Sequence, residues 1–248
     1  MSVTSASFAL AVVLAQGYYT PQEARQLFAE GAEAYEREQY ERAIAAWARL
    51  VDRGPDGPDV LYNLGTAYLR KGDLGHAVLY LERARRAMPG SEDVRANLEV
   101  ARARQLDRVV GGDGEPFVQR LAAAFPADVV SWIFLGAWVL AFAVLSAVRV
   151  ARRRRAALAL AAGALILVAV PSGLLVGLQA YVASTVREAV VMTQTLQARE
   201  LPAANARVAF EVHAGLKVRV LEAEGSFVRI RLPNGLVGWA EKEGIAEI

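Results

Sequence analysis

Between Val129 and Val148 the chain runs for twenty residues without a formal charge (VVSWIFLGAWVLAFAVLSAV). As helix, that run is about 30 Å long, the thickness of a bilayer's hydrocarbon core. Nothing else in the sequence restricts the fold as strongly. A second uncharged stretch, Ala156 to Val186, follows a short basic connector, with its most apolar part between Leu158 and Leu178 and Tyr181 where an interface would fall. One such run can be the buried core helix of a soluble protein. Two so close together read as a membrane-spanning helical hairpin, with spans at 129–148 and 156–183. Hydrophobic residues make up 54% of the chain and charged ones 22%, against about 45–50% apolar for an ordinary soluble domain.

The connector, residues 149–155, carries Arg149, Arg152, Arg153, Arg154 and Arg155 and no acid. Short loops of this kind stay in the cytoplasm. These five arginines are therefore the topology determinant, and both flanking segments are expected on the extracytoplasmic side of the membrane that the hairpin spans. The overall charge of +2 looks faintly basic until it is divided. Gln16 to Ala127 holds 15 basic and 17 acidic residues, and Ser184 onward holds 8 of each. The basicity lies in the loop between the spans, so it argues for topology and against a nucleic-acid surface. An export signal should then precede the first segment. Phe8 to Leu14 gives a short apolar core, and Val13-Leu14-Ala15 before Gln16 suits a cleavage site, so residues 1–15 read as a signal peptide, with an uncleaved anchor as the alternative. In the second span, Pro171-Ser172-Gly173 predicts a kink. Gly173 and Gly177 permit close helix approach, either to the first span or to a second copy.

The first flanking segment repeats itself. From Gly31 the offsets of 12, 16 and 24 reach Ala43, Trp47 and Pro55; from Gly65, thirty-four residues on, they reach Ala77, Leu81 and Pro89. Small residues let paired antiparallel helices approach, large ones fill between them, and the prolines end each unit. This pattern resembles the tetratricopeptide repeat, over residues 21–108, with units at about 24–57 and 58–91 and a capping helix at 92–108 that opens on Ser91-Glu92-Asp93. Glu30 and the late Tyr35 depart from it mildly. Two repeats are few, and such an array is expected to need a neighbour. The resemblance implies a protein-binding groove on the first helix of each unit, lined by Phe28, Ala32, Tyr35, Tyr62, Asn63, Thr66, Leu69, Arg70 and Asn97, with the asparagines suited to peptide backbone and Arg70 to a carboxylate. Residues 109–127 follow as a linker (Gly111-Gly112-Asp113-Gly114) and an interfacial helix from Phe117 to Phe125.

After Val186 the pattern changes to short strands: Glu188–Thr193, Arg207–Val212, Leu216–Leu221, Phe227–Leu232 and Leu236–Ala240, with Asn234-Gly235 as a hairpin signal. Residues 187–248 thus read as a small closed all-β barrel. The run LKVRVLEAEGSFVRIRLPNGLVGWAEKEGI is similar to the bacterial SH3 family through Gly238-Trp239. That likeness implies either ligand contact through Trp239 and Phe227, with peptidoglycan as the ligand, or packing of Trp239 in the barrel's core or rim, since Phe227 replaces the family's usual Trp or Tyr and its early Asn-Val-Arg is reduced here to Gln197-Ala198-Arg199.

No cysteine is present, and the two histidines, His76 and His213, lie in different segments. No nucleophile–base pair, metal-ligand cluster or phosphate-binding loop is legible, so neither enzymatic activity nor a cofactor is expected. The fold class is a multidomain membrane protein: all-α tetratricopeptide-repeat helices, a two-helix transmembrane hairpin, and a C-terminal all-β SH3-like barrel. That order of parts resembles the Bat (aerotolerance) group of bacterial membrane proteins. The resemblance implies a scaffold whose partners are membrane-associated proteins with von Willebrand factor A-type domains, linked to a MoxR-type ATPase. The rival expectations are a peptidoglycan-binding envelope anchor and a cytoplasmic scaffold of inverted topology.

Overall fold

The computed structural model describes residues 19–53, 57–107 and 117–248. The expected signal peptide, Pro55 and the glycine-rich linker lie outside these residues. Among the described residues five helices come first: α1 (Pro21–Glu36), α2 (Tyr40–Arg53), α3 (Pro58–Lys71), α4 (Leu74–Ala87) and α5 (Glu92–Arg104). Their boundaries are written locally. Thr20 and Glu23 close a capping box, the Glu23 N–H donating to Thr20 Oγ1 at 3.3 Å and the Thr20 N–H to Glu23 Oε2 at 2.8 Å. Asp73 Oδ1 accepts from the His76 N–H at 3.1 Å and Ser91 Oγ from the Val94 N–H at 3.3 Å. Gly72, at φ 91°, ends α3 in the left-handed conformation that a side chain would resist.

The repeat spacing becomes packing at two glycines. A Cβ on Gly31 would lie 2.4 Å from Trp47 Nε1, and one on Gly65 would lie 2.9 Å from the Leu81 backbone nitrogen. Paired helices therefore meet where only glycine fits. One apolar core joins α1, α2 and α3 around Leu27, Trp47, Leu50 and Leu64. A second joins α3, α4 and α5 around Leu69, Leu81, Val94 and Leu98.

The C-terminal segment is an antiparallel sheet of β1 (Arg187–Val191), β2 (Thr195–Arg199), β3 (Val208–His213), β4 (Lys217–Glu224), β5 (Phe227–Arg231), β6 (Val237–Glu241) and β7 (Ile245–Glu247), in the order β3-β2-β6-β5-β4-β1-β7. Two of these strands, β2 and β7, are absent from the sequence reading. Its core holds Ala189, Val191, Leu196, Val218, Val228 and Ile230. Between β5 and β6, the Leu232 N–H donates to the Leu236 carbonyl at 2.9 Å and Gly235 takes φ 90°.

The repeat helices and the sheet form one compact unit. Val190 of β1 is fully buried, and it belongs to the apolar cluster of α3–α5 rather than to the sheet's own core, with Met192, Ala246 and Ile248 packed beside it. Strand β1 is thus covered on both faces.

The second unit contains α6 (Phe117–Ala123), α7 (Ala127–Val150), a 3-10 turn at Arg152–Arg154 and α8 (Arg155–Thr185). Both α7 and α8 are long and apolar enough to cross a membrane, and only 11% and 17% of their most apolar stretches are buried. Trp132, Leu160 and Leu167 are at least 72% exposed. A soluble protein's core helix would be mostly covered; these two turn their apolar side chains outward. They pack on each other at Gly173, where a Cβ would lie 2.8 Å from Phe134 Cε2, while Gly177 meets nothing within 4 Å. Arg149, Arg153, Arg154 and Arg155 are exposed at the connecting turn, and Arg152 lies within it. Gln179 Nε2 on α8 donates at 3.0 Å to the carbonyls of Ala122 and Phe125, tying down the end of α6.

Candidate functional site

The predicted groove residues lie on the first helices of the array: Phe28, Ala32 and Tyr35 on α1, Tyr62 to Arg70 on α3 and Asn97 on α5. The structure shows how these helices are joined. Asn97 Nδ2 donates to Thr66 Oγ1 at 2.9 Å and to Tyr62 Oη at 3.3 Å, and the Thr66 hydroxyl in turn donates to the Tyr62 carbonyl at 2.8 Å. Arg104 Nη1 donates to the Leu69 carbonyl at 3.0 Å. Between α1 and α3, Arg70 Nε donates to Tyr35 Oη at 3.3 Å. This hydrogen bond raises the already high pKa of the exposed Arg70 further, and the guanidinium stays charged.

These bonds leave a defined set of groups for a ligand. Both donors of Asn97 are engaged, so its carbonyl oxygen is the group it can offer. Asn63, half-buried, makes no side-chain hydrogen bond among the described residues and keeps both donor and acceptor. Arg70 retains its terminal nitrogens. Leu69 differs from its neighbours: it is 4% exposed and packs with Leu61, Leu79 and Leu81, so its side chain belongs to the core beneath the predicted groove. Phe28 packs its ring 6.3 Å from that of Trp47, whose Nε1 donates to the Phe28 carbonyl at 3.2 Å. Beside it, a cleft of about 350 Å³ is lined by Ala24, Arg25, Phe28, Leu50, Gly57, Asp59 and Val60. That is an apolar pocket with one charge of each sign at its rim.

On the sheet, Trp239 is half-buried and stands in register between Arg199 of β2 and Arg229 of β5, while Phe227 is 9% exposed. Arg199 is held by the Ala206 carbonyl and Gln197, and Arg229 by Glu222 at 2.8 Å.

The two histidines are each bonded to one aspartate. His76 Nδ1 lies 2.8 Å from Asp73 Oδ2, and His213 Nδ1 lies 2.8 Å from Asp107 Oδ1. Burial raises the Asp73 pKa, but its hydrogen bonds with His76 outweigh this and hold the carboxyl below its ordinary value. Among the described residues no group of three His, Asp or Glu side chains is placed to hold a metal ion.

A further cluster is invisible in the linear pattern because its members come from segments more than eighty residues apart. Glu82, 1% exposed in α4, is approached by Arg85 at 2.8 Å, by Arg102 of α5 at 3.5 Å and by Lys217 of β4 at 3.8 Å. Lys217 also pairs with Glu188 at 3.1 Å, and Glu188 with Arg86 at 3.2 Å. Burial raises the Glu188 pKa, but Lys217 and Arg86 outweigh it and hold the carboxyl below its ordinary value. The local clues were an acid on a helix side shared with Gly75, and a strand, Arg187–Val191, whose last three residues are all buried.

Residues 28–92 match the tetratricopeptide repeat family. A helical repeat of this class serves protein–protein interaction, and the match runs from within α1 to the start of α5. No curated protein matches the chain at a significant level.

Proposed function

We propose that this protein is a non-enzymatic, membrane-anchored adaptor of the Bat type, holding partner proteins through the groove on α1, α3 and α5. The observation that carries this is the laced row of first helices. Side-chain bonds fix the spacing of its three walls, yet Asn63, the Asn97 carbonyl and the Arg70 guanidinium remain for an extended peptide segment. Backbone-directed amides give affinity without strict sequence demands, and the cleft beside Phe28 accepts an apolar side chain at one end. The partners are proposed to be membrane-associated proteins with von Willebrand factor A-type domains, as in the Bat group. The outward-facing apolar side chains of α7 and α8 support anchoring in a bilayer, and the arginine turn supports an extracytoplasmic site for both flanking segments. Packing of the repeat helices on the sheet supports a common compartment for the two. Purification in mild detergent should recover a membrane protein partner, and joint replacement of Tyr62, Asn63 and Arg70 by Ala should lower its recovery at least tenfold. Undiminished recovery would remove the groove from the function.

A further inference from the structure

We infer that the C-terminal sheet is the resident partner of the repeat array, and that its docking on α4 and on the residues that follow α5 holds the groove's third wall in place; only the consequence for the groove rests on the function proposed above. A solenoid of two repeats and one added helix lacks the stacked neighbours that stabilise longer arrays. Here the outward side of α4 is occupied instead by β1 and β7. The approach is close enough to be shape-specific. A Cβ on Gly75 would lie 3.1 Å from the Met192 Cα and carbonyl oxygen, and one on Gly215, at φ 88°, would lie 3.2 Å from Leu74 Cβ. The centre of the contact is apolar, with Val190, Met192, Ala246 and Ile248 against the α3–α5 core. Its border is polar and directional. Arg83 and Arg86 donate to the carbonyls of Glu247 and Ile248 at 2.8 and 2.6 Å, and Gln105 donates to the Gly215 carbonyl. Asp107 accepts from the His213 backbone N–H at 2.6 Å and contacts its ring.

Helix α5 and the few residues after it depend most on this contact. Of its thirteen residues only Val94, Leu98 and Ala101 are buried. Three polar anchors lie at or beyond its C-terminal end: Arg102 shares Glu82 with Lys217, while Gln105 and Asp107 bond the sheet directly. Asn97, on the same helix, bonds Tyr62 and Thr66 across the groove. Releasing the sheet would therefore free the end of α5 and loosen the groove's third wall.

The chain has no cysteine, so a paired Asp107→Cys and His213→Cys variant of the full-length protein reports docking directly. A short bifunctional maleimide, which tolerates a wider separation than a disulfide does, should give an intramolecular cross-link in the monomer. A cross-linked dimer, or none, overturns docking within one chain. Independently, Lys217→Glu places a third acid beside Glu82 and Glu188 at a half-buried position. Hydrogen exchange of the full-length variant in detergent should quicken at least tenfold in α5, β1 and β7 together while α1 and α2 stay within twofold. Unchanged α5 exchange overturns the inference. Faster α5 exchange with undiminished partner recovery leaves docking standing and removes the groove from the function.

Discussion

At the scale of single residues, the proposed groove separates positions that look alike in the sequence. Leu69 and Arg70 are neighbours on α3, yet the first is core and the second is exposed. Leu69→Ala should cost about 2–5 kcal/mol of stability through the cavity it leaves. Arg70→Ala, which loses one exposed hydrogen bond, should shift stability by less than about 0.5 kcal/mol and act on partner capture instead. Chemical unfolding of the two variants beside a pull-down distinguishes these roles. The glycines divide in the same way. Gly65→Ala must displace Leu81 and should destabilise the array by about 1–3 kcal/mol. Gly177→Ala meets nothing within 4 Å and should leave the thermal transition of the detergent-solubilised protein unchanged. Gly173 and Gly177 share one spacing motif, but only Gly173 receives a neighbour from α7.

At the scale of elements, α4 is the helix on which two kinds of packing meet. One side supplies the repeat core and the other the contact with the sheet, through a buried glutamate and a ring of cations. The acid response follows from Glu188. Its folded-state pKa lies below the ordinary 4.5 because Lys217 and Arg86 outweigh the effect of burial, and Arg219 stands opposite it in register on β4. Its contribution to docking is therefore fully present above about pH 4.5 and is lost as pH falls through the depressed value. Exchange protection of β1 and β7 should fall on acidification in that window, and Glu188→Gln should flatten the response. At the alkaline end Tyr68, stacked on Tyr80 at 5.7 Å, is pushed up to about 12 by burial first, with Tyr80, Asp73 and Asp52 adding to it. A raised acid is stabilising below its unfolded pKa near 10, and that contribution is lost as pH climbs towards 12. Loss of repeat helicity above pH 10 by circular dichroism, shifted in Tyr68→Phe, checks this.

At the scale of the whole molecule, the proposed membrane anchoring has to agree with the docking of the sheet on the repeats. Segments on opposite sides of a bilayer could not share Glu82. A hairpin returns the chain to the side it left, which is what the docked unit requires. With the arginine turn in the cytoplasm, alkaline phosphatase fused to the C-terminus should be active and a green fluorescent protein fused there dark. Reversal of the two results would place the adaptor on the cytoplasmic side.

Periodicity, length and charge sufficed for the parts. The spacing from Gly31 to Gly65, the uncharged runs and the alternation after Val186 are local properties, so the repeat helices, the two long apolar helices and the all-β segment are legible in them. Strands β2 and β7 were less so, because Thr195–Arg199 is polar on one side and Ile245–Glu247 is only three residues long. The groove was legible as a set of helix positions. Which of its residues remain open was not, since that depends on bonds such as Asn97 to Tyr62, thirty-five positions apart. The junction of repeats and sheet was decided by tertiary structure alone. Its residues are individually ordinary, an acid on a helix and a lysine on a strand, and they acquire meaning only when burial removes the water that would otherwise screen Glu82 from Lys217.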